Sequence, residues 1–187
     1  MHSNENDSWA VTALLSVSLV GAYAAELTGN RDATCAVLGF TPAHPSLQTA
    51  LTSMWLHDPH NLFHLGGNLV FLIIFGAIVE KAIGGLRLLA LFVAAGLAGA
   101  ALHWSIDPSS MVPLVGASGA IYGLLAPAAI LRPRMLGFVI AFVAINVWHA
   151  FVGADGSASF AAHIGGFAVG ALGVFYSKVR YELFGEA

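Results

Sequence analysis

Long apolar stretches alternate with short polar breaks along this chain, and within each stretch apolar residues occupy every helical face rather than one stripe. Helices that are apolar all round are buried in a large core or in lipid. Reading the stretches between charges and turn signals predicts six spans, at residues 9–27, 62–79, 86–104, 116–131, 135–152 and 159–176. Several are short or rich in glycine and alanine, a composition that in membranes accompanies close helix packing. A long connection from Thr28 to Asn61 carries Pro42 and Pro45 but keeps Val37, Leu38, Phe40, Leu47, Met54, Trp55 and Leu56. It is expected to pack against the outer membrane surface. No internal repeat or low-complexity segment suggests a solenoid or an inverted-repeat transporter.

Composition narrows the class. Of 187 residues, 58% are hydrophobic and 9% charged, against about 45–50% and about 25% in an ordinary soluble domain. At about 20 residues per span, the chain is filled by a single polytopic membrane domain covering residues 1–187, with no separate soluble domain. Seven Lys and Arg against ten Asp and Glu give a net charge of −3, which offers no basic surface for nucleic acid. Cys35 is the single cysteine, so neither an internal disulfide nor a thiolate metal cluster can form.

The basic residues orient the spans. Lys81 and Arg87, Arg132 and Arg134, and Lys178 and Arg180 fall in loops on one side, whereas Asp107, Asp155 and Arg31 fall on the other. The positive-inside rule makes the first side cytoplasmic and places both termini there. Ala22-Tyr23-Ala24 could pass for a signal-peptidase site, but the preceding segment holds Glu5 and Asp7 and no Lys or Arg. The first span is therefore expected to be retained. With no transit-peptide pattern, a prokaryotic plasma membrane is the expected location.

Polar residues within spans are costly and become functional candidates. Here they share one level. His64 and Asn68 lie on one face near the outer end of the second span, Ser118 near that of the fourth, and His163 near that of the sixth. A serine beside a histidine is the minimum for acyl transfer: the imidazole takes the hydroxyl proton during attack and returns it to the leaving amine. His64, Asn68 and the Ser118 backbone N–H are candidate donors to the oxyanion, helped by the positive end of the fourth helix. Gly116 allows a sharp bend and close substrate approach. Tyr122, four residues after Ser118, can support the His163 ring. Gly119-x-x-x-Gly123 and Gly166-x-x-x-Gly170 are small-residue faces that would bring the fourth and sixth spans together. No carboxylate lies at this depth, and Asp107 and Asp155 read as solvated loop residues.

These residues resemble the rhomboid family of intramembrane serine proteases over about residues 55–176. Gly116-x-Ser118-Gly119 with Tyr122 is similar to its nucleophile motif, Ala162-His163-x-x-Gly166-x-x-x-Gly170 to its general-base motif, and His64-x-x-x-Asn68 to its oxyanion motif. Glu80 resembles a structural carboxylate at the inner end of the second span, with a packing and capping role. The resemblance implies an all-α, six-transmembrane-helix bundle of rhomboid type, a Ser–His dyad open to the extracytoplasmic side, and no cofactor. It further implies lipid-embedded partners, namely transmembrane protein substrates cut near the outer end of their spans. The first connection departs from the family: it lacks the common Trp-Arg pair, and two extra residues separate His57 from His64.

Two rival readings follow from the same residues. His57, His60 and His64 with Asp58 could form a zinc site of a membrane hydrolase, provided the helix begins at His60, which Pro59 permits. A rhomboid-like protein that binds client transmembrane helices without cutting them would keep the same bundle. His103 and His149, beside Trp104 and Trp148, read as interfacial residues.

Overall fold

The computed structural model describes residues 9–58, 60–151 and 157–184. Eight helices account for most of them. In chain order these are α1 (Ala10–Glu26), α2 (Arg31–Leu38), α3 (Leu47–Thr52), α4 (Leu62–Ile83), α5 (Gly85–Ile106), α6 (Ser118–Leu131), α7 (Leu136–Phe151) and α8 (Ser157–Phe184). Two, α4 and α5, are long and apolar enough to cross a membrane by length and composition, and α1, α6 and parts of α7 and α8 are shorter apolar helices.

Helix boundaries follow local chemistry. Asn61 starts α4 by accepting the Phe63 N–H at 3.1 Å, the usual role of an N-cap side chain. The helix continues past residue 79, where the sequence pattern ends the span, because Glu80 is not solvated. Its Oε1 accepts the Val11 N–H at 2.9 Å, and its Oε2 accepts the Thr12 N–H at 2.8 Å and the Thr12 hydroxyl at 2.7 Å. A carboxylate at the positive end of α1 satisfies N–H groups that the helix cannot pair internally. Gly84, at φ +84°, then ends α4. Within α4, Leu72–Gly76 winds as a π-helical turn. Gly76 there lies against Thr12: a methyl group at this position would come within 2.9 Å of the threonine side chain.

Two further differences concern ends. The fourth stretch becomes helical only at Ser118, because Gly116, at φ +121°, is outside helical geometry. At the other extreme, α8 runs to Phe184, since Lys178, Arg180, Glu182 and Leu183 favour helix, no Pro or Gly interrupts them, and a helix need not stop where apolarity does.

At the centre, α5, α6 and α8 touch through backbone. Gly166 packs on the Gly119 carbonyl and Gly170 on the Gly123 carbonyl, so the two small-residue faces meet. A second seam was not expected from the sequence: Gly99 of α5 meets the Ala162 carbonyl, and Gly165 meets the Ala98 carbonyl. Larger side chains, including Leu19, Leu72, Phe75, Leu88, Phe92, Leu124 and Leu125, fill the space between this trio, α1 and α4.

The first connection holds two short helices, α2 and α3, and is tied to the bundle end that carries Ser118. Phe40 and Leu114 exchange backbone hydrogen bonds at 3.0 and 2.8 Å, Ala43 N–H donates to Ser110 O at 3.0 Å, and the Trp55 indole donates to Ser18 Oγ at 2.9 Å.

Candidate active site

Ser118 opens α6, and the α6–α8 seam sets its neighbour. Because Gly119 and Gly166 permit backbone contact, the second turn of α8 comes level with the first turn of α6. His163 Nε2 lies 2.8 Å from Ser118 Oγ. The imidazole is buried, and its Nδ1 has no hydrogen-bond partner. Tyr122 holds the ring from below: the two rings are parallel to within 1° with centroids 4.1 Å apart. Phe142 of α7 lies behind Tyr122 at 5.4 Å.

His64 and Asn68 reach the same place from α4. A methyl group built on Gly116 would be 2.7 Å from His64 Nε2 and 3.8 Å from Asn68 Nδ2. Both nitrogens therefore face the space that Gly116 leaves open, two residues before Ser118. Asn68 Nδ2 is buried without a partner, which is an unspent donor. The Gly116 N–H is already used, donating to Ser53 O at 2.9 Å. Gly116 thus contributes space and a bend, whereas the first N–H groups of α6 lack intrahelical partners.

The histidines in and beside the first connection separate into distinct environments. His57 is fully buried, its Nδ1 lies 3.2 Å from Trp55 O, and its ring meets that of His64 edge-on at 5.2 Å. Burial and the neighbouring His64 hold the His57 pKa down at about 4. His60 is exposed and pairs with Asp32 at 3.1 Å. Since α4 starts at Leu62 rather than His60, the helix face required by the zinc reading is not formed. Among the described residues no three His, Cys, Asp or Glu side chains converge as a metal site.

Other sequence candidates are also placed. His103, in the last turn of α5, is buried against protein, because α5 joins the central glycine seam. Asp107 accepts from the Ser109 N–H and hydroxyl and serves its own turn. Asp155 and the His149 side chain lie outside the described residues. Cys35 is buried, and its thiol is pushed up to about 11, first by burial and then by Glu26, Asp32 and Asp58. A thiol so placed stays protonated and unreactive.

A family model described as "Rhomboid domain" matches residues 44–179, well over half the chain and every residue of the site above. The chain belongs to the rhomboid family. Its rhomboid domain makes it an integral membrane protein. RHOMBOID-like protein 5 of Arabidopsis thaliana is 31% identical to it over 129 residues, covering 64% of this chain and 40% of the relative. Rhomboid-like protein 11, chloroplastic, of the same plant is 34% identical over 88 residues, covering 47% and 30%. The chain thus spans less than half the length of either relative. Both relatives are plant proteins, so a prokaryotic location draws no support from them.

Proposed function

We propose that this rhomboid is an intramembrane serine endopeptidase whose single membrane domain has six spans (α1, α4, α5, α6, α7 and α8), with both termini cytoplasmic. The observation that carries this reading is the 2.8 Å contact between Ser118 Oγ and His163 Nε2 beside two donors converging on the Gly116 space. The Ser118 hydroxyl donates to Nε2, so the neutral imidazole carries its proton on Nδ1. As Oγ attacks the scissile carbonyl, Nε2 takes the hydroxyl proton and the oxyanion forms near His64 Nε2, Asn68 Nδ2 and the Ser118 N–H. The imidazolium then protonates the leaving amine, and water, activated by the same nitrogen, releases the acyl group. Tyr122 keeps the ring in plane without an acidic third member.

The substrates are transmembrane proteins, cut near the outer end of a span. A helical segment must unwind to present its peptide bond, so glycine near the scissile bond speeds cleavage.

Fluorophosphonate labelling of the detergent-solubilised protein, located by peptide mass spectrometry, tests the reading. Label is expected on Ser118, unaffected by chelators, absent from Ser118→Ala and strongly reduced in His163→Ala. A folded protein that takes no label at Ser118 would shift the function to binding transmembrane helices without cutting them.

A further inference from the structure

His64 is useful to an oxyanion only if Nε2 carries a hydrogen. In a neutral imidazole just one nitrogen does, and which one is set by the partner of the other. The structure supplies that partner from the backbone. The Asp58 N–H lies 3.1 Å from His64 Nδ1, and an amide N–H can only donate. Nδ1 must then present its lone pair, which leaves the hydrogen on Nε2, the nitrogen facing Gly116.

The Asp58 amide is itself held in place. Trp55 O can only accept, so at 3.2 Å His57 Nδ1 donates to it, closing the turn just before Asp58. The fully buried His57 ring then stands edge-on to His64. On the other side, Asp58 Oδ1 accepts the His60 N–H at 2.8 Å.

We infer that the Trp55–Asp58 turn, through the Asp58 amide and the buried His57, fixes His64 as the neutral Nε2–H tautomer and so makes it an oxyanion donor. His57 and the Asp58 backbone are positioning groups, acting on the reaction only through His64. The inference rests on the protease reading above and deepens it.

Nitrogen-15 NMR of histidine-labelled protein in detergent tests it, with the His64 resonances identified by their loss in His64→Asn. A protonated Nε2 and a bare Nδ1 are expected at neutral pH. A protonated Nδ1, or a mixture of tautomers, would overturn the inference whatever the activity. Asp58→Ala keeps the amide and loses only the side-chain bond to the His60 N–H, and it is expected to keep the hydrogen on His64 Nε2. Asp58→Pro removes the amide and is expected to mix the tautomers and lower kcat about tenfold or more, with KM little altered. If Asp58→Pro does not fold, the wild-type spectrum and Asp58→Ala still decide the matter. A correct tautomer beside a Ser118 that takes no fluorophosphonate would instead overturn the protease reading on which the inference rests. A wrong tautomer with a labelled Ser118 would overturn the inference alone.

Discussion

At Gly116 two requirements meet that only glycine satisfies. Its φ of +121° is strained for any L side chain, and a Cβ would sit 2.7 Å from His64 Nε2. Gly116→Ala is therefore expected to lower fluorophosphonate labelling and cleavage about a hundredfold, the scale of a lost oxyanion donor, while circular dichroism shows helix content unchanged. Tyr122 makes a different prediction. Its hydroxyl is buried without a partner, so Tyr122→Phe should keep activity, whereas Tyr122→Leu, which loses a ring stack worth about 0.5–1.5 kcal/mol, should lose up to about tenfold. His57 carries a pH dependence. Folded, it binds its proton near pH 4, against 6.5 ordinarily, so between those values the unfolded chain holds more protons. Its contribution is at full strength above pH 6.5 and falls as pH drops toward 4, by up to about 1.4 kcal/mol per pH unit. Thermal unfolding in detergent should show a slope of this sign, and His57→Gln should lessen it.

Between elements, the α6–α8 seam and the α1–α4 contact fail in different ways. Gly166 has the Gly119 carbonyl where a side chain would go, whereas Gly21 of α1 has nothing within 4 Å. Gly166→Ala is expected to cost about 1–3 kcal/mol through overpacking and to separate Ser118 from His163, lowering labelling as well as melting temperature. Gly21→Ala should change neither. Glu80 accepts three hydrogen bonds from α1 at the bundle end away from Ser118. Glu80→Gln is expected to lower stability by about 2–3 kcal/mol while leaving Ser118 labelling intact at low temperature. The seam was legible as two glycine motifs. Its α5 partner was not, because Gly99 and Gly165 show no common spacing until the helices are packed.

For the whole molecule, the proposed six-span topology makes opposite claims for two exposed loop positions. In a Cys35→Ser background, Ser109→Cys is expected to react with a membrane-impermeant thiol reagent on intact cells, and Arg134→Cys only after permeabilisation. Equal labelling of both would refute the topology. The first connection belongs at this scale too. Packing on the membrane surface was the expectation for its apolar residues, whereas Phe40, Met54 and Leu56 are buried within the protein, and neither its two helices nor its bonds to Ser110, Leu114 and Gly116 were readable. Those bonds join residues far apart in the chain, through backbone groups that every residue type possesses.

By itself the sequence determined what depends on residue type and short spacing: apolar lengths, helix-facing pairs such as His64 and Asn68, the glycine faces, and Ser118, His163 and Tyr122 as a group worth placing together. Those properties are local, since a helix's 3.6-residue period converts spacing into a shared face. Only the tertiary structure decided that α1 is the helix Glu80 caps, that His103 is buried, that His60 turns away to Asp32, and that the Asp58 amide meets His64 Nδ1. Each depends on a hydrogen-bond partner or packing surface brought from another segment, and a backbone N–H or a buried face leaves no mark in the order of side chains.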